Sequence, residues 1–551
     1  MCGIFARVGS PPELVNQKLR GANAARGPDA CKSCSFSLAQ LELELFSSEL
    51  RLRGTHPVVQ PHERDGNILC WNGEVFAGLN ILRDENDGIQ LFDQLHLLST
   101  IDLIRVRVLQ RDYPVRFSLS PRVTQLTQAT VQKLFFSRDL LGRRSLLIHK
   151  PSLENPYFLL TSVSAGSNPR YSLEELETGY IYCLDVGALS KSENASTMHW
   201  LCFVVLANVW TSRSAAYGQL ARVNTTLPPN DAPLPGPGLD IIPGWLEESV
   251  DELISQLDQS VMLQVRDVPQ DLHVPPDQPI DLLNVAFENP RKVKIQQEGN
   301  IDPNRRKKQK NSSNGTNGAP SAHVREYMVP DRITGLQEIE ELQKLCPKRV
   351  WNFVEVNVPY HESHAARQFV EGLMSPVRTV MDLSLAIALY FASRGIGQIR
   401  TRQEDQPIPY VSPAKVLING LGSDELLGGY GRHRTAFNVR GWHSVIEELQ
   451  LEIDRIPARN LGRDDRVISS HGKETRHPFL SLDVVSFLAN LPVQYKMDPR
   501  LPPGVGDKML LRLASRKLGL LEASERKKRA MQFGSHSARM EGDTKGDAPL
   551  E

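Results

Sequence analysis

Short apolar runs separated by turn residues characterise the first half of the chain. Residues 68–71 form one such run and lead into the sharp turn Asn72-Gly73, and runs of similar length occupy 134–136 and 180–184. Apolar runs that end at Gly or Asn are typical of β-strands closed by tight turns. The first half is therefore predicted to contain many short strands.

Strand-like and helix-like patterns alternate in the second half. The apolar run 281–287 suits a buried parallel strand, and 351–358 shows the period of two that is typical of a strand. The apolar spacing of 377–393 predicts a helix that ends at Gly395. A further strand is predicted at 414–419, and further helices at 443–454, 482–490 and 507–518. This alternation predicts an α/β layer whose ligand site lies at the carboxyl ends of the strands.

Two stretches have the composition of connecting segments. Residues 225–244 are rich in Pro and Gly, and residues 291–321 are polar and include the basic run 305–310. We predict a linker or long loop at the first stretch and a disordered surface insertion at the second. A solvated charge run is the favoured interpretation of 305–310, and a nuclear-import signal is the alternative.

Composition and charge indicate a soluble protein of about two to four domains. The 64 Lys and Arg residues balance the 64 Asp and Glu residues, so no net field attracts nucleic acid or a membrane. Seven cysteines without a signal peptide favour a reducing compartment. The longest apolar run, 201–210, is about half a membrane span. We therefore predict a cytosolic protein with neither nucleic acid nor a membrane as a partner.

Cys2 is the residue with the clearest chemical potential. If an aminopeptidase removes Met1, Cys2 carries both a thiol and a free α-amine. An α-amine has an ordinary pKa of about 7.7–8.0, so it can accept the thiol proton and act as the base for its own nucleophile. The alternative is a buried structural cysteine that happens to be second in the chain.

Residues that could complete a glutamine-hydrolysing site occur later in the first half. The Arg53 guanidinium suits a substrate carboxylate, and the Asp87 carboxylate suits a substrate ammonium. Asn72 supplies an amide donor and Gly73 an unhindered backbone N–H, which are the two ingredients of an oxyanion hole. Each residue alone also has an ordinary structural interpretation, since Asn-Gly is a common hairpin turn.

Taken together, these residues resemble the class II glutamine amidotransferase domain, an N-terminal-nucleophile (Ntn) hydrolase. The motifs that carry the resemblance are Met1-Cys2-Gly3-Ile4, Arg26-Gly27-Pro28-Asp29, Trp71-Asn72-Gly73-Glu74-Val75-Phe76, Asn86-Asp87 and residues 137–144. The resemblance implies that residues 2–184 form an Ntn-hydrolase αββα sandwich. The fold class of the whole chain is then α/β and α+β.

The same resemblance implies a role for each candidate residue of this domain. Cys2 is implied to be nucleophile and base together. The residues implied to act on glutamine are Asn72 and Gly73 at the oxyanion hole, and Arg53, Glu74 and Asp87 in substrate binding. Arg51 is the alternative to Arg53, because it lies two residues away on the same strand face.

The second half resembles the asparagine synthetases at 420–430, 460–466, 472–480 and Asp507-Lys508. This implies a Rossmann-like α/β adenine-nucleotide domain of the PP-loop type over 276–540, after a divergent linker at 185–275. Such a domain uses ATP and Mg²⁺ as co-substrates and binds no cofactor tightly. The residues implied at its nucleotide and pyrophosphate side are Val285, Gly422, Ser423, Asp424 and Lys508, with Asp424 as the Mg²⁺ ligand. Segments 279–287, 329–335 and 528–535 resemble a divergent family, the asparagine synthetase domain-containing proteins.

The synthetase pattern is broken in two places. A phosphate cradle of the type Ser-Gly-Gly-x-Asp-Ser is expected shortly before 282–287, but no such loop occurs there. The Gly-containing stretch 236–240 is interpreted as a linker, because Pro237 removes an N–H donor. Leu421 stands where asparagine synthetases usually have Glu, and leucine cannot move protons. A splice or gene-model variant that lacks segments would explain these breaks, together with the deviant stretches 104–132 and 201–235.

The sequence therefore predicts a glutamine-dependent, asparagine-synthetase-like enzyme. Cys2 is predicted to hydrolyse glutamine to glutamate and ammonia for the ATP-dependent amidation of aspartate to asparagine, with the synthetase half impaired. The predicted partners are glutamine and, where the synthetase half acts, aspartate and ATP. A non-catalytic scaffold that keeps the fold and a stand-alone glutaminase are the alternatives.

Overall fold

The computed structural model of the chain describes residues 2–38, 41–54, 56–76, 79–82, 84–99, 117–119, 133–186, 203–205, 220–229, 231–234, 236, 239, 241–266, 279–290, 326–401, 405–541 and 546–550. The predicted insertion 291–321 and most of the stretches 104–132 and 201–235 lie outside these residues. The chain divides into two compact units. The first unit is Met1–His273 with Lys415–Lys528, and the second is Val274–Ala414 with Arg529–Glu551.

The described strands are numbered in chain order. They are β1 (Cys2–Val8), β2 (Ala30–Leu38), β3 (Leu41–Glu49), β4 (His62–Arg64), β5 (Asn67–Trp71), β6 (Phe117–Leu119), β7 (Lys133–Ser137), β8 (Leu147–His149), β9 (Phe158–Thr161), β10 (Glu174–Glu175), β11 (Ile181–Asp185), β12 (Phe203–Val205), β13 (Ile280–Phe287), β14 (Trp351–Val358), β15 (Ile396–Ile399), β16 (Ile408–Val411), β17 (Val416–Ile418) and β18 (Glu474–Arg476). The strands predicted at 68–71, 134–136, 180–184, 281–287, 351–358 and 414–419 are confirmed to within two residues at each end.

The described helices are numbered in the same way. They are α1 (Glu13–Arg26), α2 (Asp87–Ser99), α3 (Gly244–Val265), α4 (Pro330–Leu345), α5 (Tyr360–Met374), α6 (Val380–Arg394), α7 (Ser423–Leu427), α8 (Gly431–Arg440), α9 (Trp442–Arg455), α10 (Leu461–Ser469), α11 (Leu482–Asn490), α12 (Val493–Lys496), α13 (Met509–Lys517), α14 (Leu521–Glu525) and α15 (Met531–Gly534). Short 3-10 turns lie at Ile456–Ala458, Pro478–Leu480 and Ser537–Glu541. The helices predicted at 377–393, 443–454, 482–490 and 507–518 are confirmed.

Strand β1 is buried on both of its faces in the first unit. It pairs antiparallel with β3 and β9 in a sheet of order β10-β8-β9-β1-β3-β2. Side chains alternate across a strand, and accordingly Ile4 packs in one core with Phe136 of β7, whereas Phe5 packs in another core with Leu19 of α1. One face of the sheet therefore meets a helix, and the other meets a second sheet.

The second sheet has the order β12-β11-β7-β6-β5-β4. Ile68 and Cys70 of β5 lie in the core that it shares with the first sheet, and Trp71 lies in a core with Leu91 and Phe92 of α2. The layers of this part of the first unit are consequently helix, sheet, sheet and helix. This stacking places the start of β1 close to the end of β5.

The rest of the first unit is a helical core. Leu246 and Val250 of α3 pack in one cluster with Leu449 of α9 and Leu510 of α13, and Leu141 from the loop after β7 joins this cluster. The strands β17 and β18 form a separate parallel pair. Helix α3 was not predicted from the sequence.

A buried carboxylate, Asp465 of α10, joins these two parts of the first unit. It accepts hydrogen bonds from the guanidinium groups of Arg26 (2.8 Å) and Arg144 (3.2 Å) and from the backbone N–H of Ser145 (2.9 Å). Asp465 and Arg26 are completely buried. Residues 415–528 therefore belong to the same compact unit as the two packed sheets. The segment 276–540, which was predicted as one domain, is distributed over both units.

The second unit is built on a mixed sheet of order β13-β14-β15-β16. Strands β13 and β14 are parallel, whereas β15 and β16 are antiparallel to their neighbours. Phe287 of β13 packs edge to face on Phe391 of α6, and α6 ends at Gly395, whose φ of 69° is favourable for glycine. The expected α/β layer is thus smaller than predicted, because β17 pairs with β18 in the first unit instead of extending this sheet.

Within the described residues, no helix is both long enough and apolar enough to cross a membrane.

We expect Asp465→Ala to lower the free energy of unfolding by about 3–5 kcal/mol, because it removes the buried carboxylate that Arg26 contacts and one of the two that Arg144 contacts. Urea unfolding followed by tryptophan fluorescence measures this change. Glu447→Gln is the control, since Glu447 pairs with Arg440 at an exposed site, where such pairs contribute at most about 1 kcal/mol. Equal unfolding midpoints for the two variants would show that the buried ion pairs of Asp465 do not stabilise the first unit.

Candidate active site

The start of β1 is held in place by two buried serines. The backbone N–H of Gly3 donates to Ser48 Oγ (3.0 Å), and that of Ile4 donates to Ser162 Oγ (3.1 Å). Ser48 in turn donates to the carbonyl of Asn23 in α1 (2.6 Å). Cys2 is the first residue of β1 and lies opposite Glu49 of β3 in the ladder. The backbone on which Cys2 lies is therefore fixed from three sides.

Asn72 reaches the same place from the second sheet. Its side-chain amide lies 3.5 Å from Ser162 Oγ, the atom that also accepts from Ile4. Asn72 is completely buried and follows Trp71, whose backbone N–H donates to Gln60 Oε1 (2.8 Å). The shared Ser162 hydroxyl thus brings Asn72, and with it the adjacent Gly73, close to Ile4, which is two residues after Cys2 in β1.

Arg53 and Asp87 both bind the backbone of Val75. Arg53 donates to the Val75 carbonyl (2.7 Å), and Asp87 Oδ2 accepts from the Val75 N–H (2.8 Å). Both side chains are buried, and burial raises the pKa of Asp87 above its ordinary value. These two predicted glutamine-binding residues therefore converge on the segment that follows Asn72 and Gly73. Arg51, the alternative to Arg53, is half-buried, and its backbone N–H donates to Asp29.

Glu74 is paired with an arginine from the far end of the chain. Its Oε2 contacts the guanidinium of Arg476 in β18, and Arg476 also donates to Glu474 (2.7 Å) and lies over the ring of Phe76. Burial raises the pKa of Glu74 to about 7, and the charge of Arg476 opposes this effect. Of the two acids predicted to hold glutamine, Glu74 thus already has a cationic partner in the protein.

Four further residues at this site had no role in the prediction. Ser48, Ser162 and Glu49 surround the start of β1, and Arg476 lies within the matched segment 472–480 without an assigned function. Ser48 and Glu49 are the last two residues of β3. Their position near Cys2 could not be predicted, because it depends on the pairing of β3 with β1. No sequence signal distinguishes Ser162.

The residues predicted for the pyrophosphate side gather around Asp424. Gly422 has a φ of 100° and precedes α7, and Ser423 is the first residue of that helix. Asp424 Oδ1 lies 3.2 Å from Lys508 Nζ, and its Oδ2 contacts Lys528 Nζ. Burial tends to raise the pKa of Asp424, but these two ammonium groups lower it below its ordinary value.

This arrangement does not fit a Mg²⁺ ion at Asp424. Both carboxylate oxygens contact lysine, and the part of the chain that the structure describes has no group of three or more His, Cys, Asp or Glu that could hold a metal. Magnesium in proteins takes oxygen ligands, chiefly carboxylates and water, and two ammonium groups compete with it directly. Leu421 lies beside this loop, half-buried, with its N–H on Asn419 Oδ1 (3.1 Å).

Val285, the fifth residue predicted at the nucleotide side, lies in the second unit. It is buried in the middle of β13 and pairs in register with Val356 of β14. The four other residues belong to the first unit.

Comparisons with known proteins identify relatives over nearly the whole chain. The sequence profile of the asparagine synthase family matches residues 436–547. The asparagine synthetase domain-containing protein 1 of Gallus gallus is 33% identical, over 94% of this chain and 93% of its own. The protein of the same name from Homo sapiens is 32% identical, over 98% of this chain and 96% of its own.

The relatives contain segments that this chain lacks. The alignment with the Gallus gallus protein has 610 positions and this chain has 551 residues, so at least 59 positions have no residue here. A solved structure of glutamine phosphoribosylpyrophosphate amidotransferase from B. subtilis matches 33% of this chain and 47% of its own at 13% identity. Its TM-score of 0.22 is too low to support an argument about the fold.

We expect Gly3→Ala to destabilise the first unit by about 1–3 kcal/mol, because a Cβ at Gly3 would overlap the backbone carbonyl of Asn23. Gly21→Ala is the matched control. Gly21 lies in α1 with no atom near its absent Cβ, so alanine there should stabilise by about 0.5–1 kcal/mol. Thermal unfolding of the two variants gives the sign of each change, and a Gly3→Ala protein as stable as the wild type would contradict the close approach.

Proposed function

This chain belongs to the asparagine synthetase domain-containing protein 1 family, and we propose that it hydrolyses glutamine at Cys2 while its synthetase half is impaired. The observation that carries the proposal is the position of Asn72. A donor amide from β5 and the backbone of β1 share the hydroxyl of Ser162. An oxyanion hole needs such a fixed donor next to its nucleophile. The layer order helix, sheet, sheet and helix also agrees with an Ntn-type sandwich.

The proposed reaction begins once Met1 is removed. The α-amine of Cys2 takes the thiol proton, and the sulfur attacks the side-chain carbonyl carbon of glutamine. The Asn72 amide and the Gly73 backbone N–H stabilise the oxyanion. The α-ammonium then gives its proton to the leaving nitrogen, ammonia departs, and water hydrolyses the γ-glutamyl thioester to glutamate and free thiol.

Recognition of glutamine is proposed to use the buried groups around Val75. Asp87 is proposed to bind the substrate ammonium, since its carboxylate accepts from the backbone N–H of Val75 and from the side chain of Trp71, both of them neutral donors. An ammonium beside Asp87 would lower the raised pKa of this buried acid toward its ordinary value, which favours binding. The Arg53 guanidinium donates to the carbonyls of Val75 (2.7 Å) and Ile81 (3.4 Å), and we propose that it also contacts the substrate carboxylate. Glu74 needs to share its carboxylate between the substrate and Arg476.

Impairment of the synthetase half is supported by four observations. No Ser-Gly-Gly-x-Asp-Ser loop precedes β13 in the sequence, and Leu421 replaces the usual Glu. Asp424 contacts two lysines where the family pattern calls for a magnesium ligand. The segments absent relative to the Gallus gallus protein are consistent with the loss of one functional loop.

The two alternatives predict different behaviour. A non-catalytic scaffold would release no glutamate, and the ordered surroundings of Asn72 speak against it. A stand-alone glutaminase would release glutamate at a rate that ATP and aspartate leave unchanged.

We expect protein without Met1 to release glutamate from glutamine in a steady-state assay, and Cys2→Ala to abolish this release. Mass spectrometry of the intact protein establishes that Met1 is absent. Cys31→Ala is the control, because Cys31 is an exposed free cysteine on β2. Glutamate release that persists in Cys2→Ala would refute the proposal.

Asn72→Ala tests the oxyanion hole separately. We expect kcat to fall by about 100- to 1,000-fold, because one donor to the developing charge is lost. KM for glutamine should change little, since Asn72 acts in the transition state. A rise in KM with unchanged kcat would assign Asn72 to substrate binding instead.

The synthetase half is tested by aspartate-dependent exchange between ATP and pyrophosphate. We expect no exchange above background, because Asp424 is paired with lysine and no phosphate cradle precedes β13. Robust exchange that needs both aspartate and Mg²⁺ would overturn this part of the proposal.

A further inference from the structure

Glu49 lies directly opposite the candidate nucleophile. It is the last residue of β3, and the antiparallel register pairs it with Cys2. Residues paired in this way have Cα atoms about 4.5–5.5 Å apart. The backbone nitrogen of Cys2, which becomes the α-amine when Met1 is removed, is therefore close to the backbone of Glu49.

The carboxyl group of Glu49 is buried and incompletely satisfied. The residue is 3% exposed. One oxygen, Oε2, has no hydrogen-bond partner among the described residues, while the carboxyl accepts a bond from the backbone of Val58. An unpaired buried carboxylate is costly and holds a proton until a cation or donor reaches it. Burial accordingly raises the pKa of Glu49 to about 7.

The charged groups that act on Glu49 are of both signs. The positively charged N-terminus acts to lower its pKa, whereas two acidic side chains, Asp29 in the turn before β2 and Asp87 of α2, act to raise it. In the described part of the chain, no lysine or arginine forms an ion pair with it. Glu49 therefore differs from Glu74, which is paired with Arg476.

We propose that Glu49 is a positioning residue for Cys2: its carboxylate holds the α-ammonium that forms when the thiol proton passes to the amine. This inference rests on the proposed function, since it assigns an acid–base partner within the same site. The proton leaves Sγ and binds the α-nitrogen, and the new ammonium donates to Glu49. The ammonium then gives the proton to the departing nitrogen of glutamine, and Glu49 ends the cycle as the same carboxylate.

The charge of Glu49 determines the direction in which it shifts the pKa values of the Cys2 amine and thiol. A carboxylate beside an ammonium favours the charged amine and raises its pKa, and a carboxylate beside a thiol disfavours the thiolate and raises the thiol pKa. Replacing Glu49 with a neutral group lowers both values. The active form of Cys2 then appears at lower pH, but the ammonium formed during attack loses its partner.

The experiment compares Glu49→Gln with the wild type, both as whole chains from which only Met1 has been removed, and uses iodoacetamide as the probe of Cys2. The alkylation rate of the peptide that contains Cys2 is followed by mass spectrometry from about pH 5 to pH 10, a range that spans the ordinary thiol and amine pKa values. We expect the midpoint of the rate profile to fall by about one pH unit. In glutamate release, we expect the rising limb of the kcat profile to move in the same direction, with KM little changed.

Two further variants make the result specific. Glu42→Gln makes the same change of charge on the same strand at an exposed position that pairs with Arg7, and it should leave the Cys2 midpoint unchanged. Glu49→Asp keeps the charge and should restore a midpoint close to that of the wild type. Glu49→Asp also tests the inference if Glu49→Gln folds poorly. A folded Glu49→Asp protein whose alkylation midpoint equals that of the wild type supports an effect of charge.

The outcomes separate this inference from the proposed function. An unchanged Cys2 midpoint in Glu49→Gln overturns the inference, and an accompanying rise in KM would make Glu49 a ligand of the glutamine ammonium. A shifted midpoint in a protein that releases no glutamate supports the link between Glu49 and Cys2, while the proposed function fails. A midpoint that shifts equally in Glu42→Gln also overturns the inference, because the effect would then not be local.

Discussion

The neutralisation of buried charge is the constraint on which the first unit depends. Asp465 pairs with Arg26 and Arg144, and Glu74 pairs with Arg476, so each pair joins the sandwich to residues from 415–528. Removing one partner of a buried pair leaves a charge in a medium of low polarity, at a cost of several kcal/mol. Neither part can therefore adopt this packing alone without stranding charges. This explains why residues more than four hundred positions apart belong to one compact unit.

The acids around the candidate nucleophile differ in whether a cationic side chain neutralises them. Glu74 receives its cation from Arg476, whereas Glu49 accepts from the backbone of Val58, and Asp87 accepts from the backbone of Val75 and from the side chain of Trp71. Burial raises the pKa of both acids, so this end of the sandwich stabilises an incoming ammonium. Glutamine carries one ammonium, and the trimmed chain supplies another at Cys2. We propose that Asp87 holds the ammonium of the substrate and that Glu49 holds the ammonium of the chain.

Local patterns were sufficient to predict several elements, and long-range pairing was not. Strand β14 and helix α11 have the bounds predicted from a period of two and from apolar spacing. Asn72 lies beside Ser162, which binds β1, and Asp87 binds the backbone of Val75, while the roles that the resemblance implies for both stay predictions. In contrast, Arg476 lies 402 positions from Glu74 and Lys528 lies 104 positions from Asp424. No local pattern encodes a contact between such residues, because it arises only when separate elements pack together. The partner of β17 could not be predicted for the same reason, since three residues carry no information about which strand they join.

The residues predicted for the two activities are distributed differently over the two units. Cys2, Asn72 and Asp87, with the groups that hold them, all come from the first unit, and their positions depend on packing within it. The residues predicted for the nucleotide come from both units, since Val285 lies in β13 of the second unit and Asp424 lies in the first unit. Local stability differs from one part of a fold to another, so a set of residues packed within one unit can keep its arrangement when a segment elsewhere is absent.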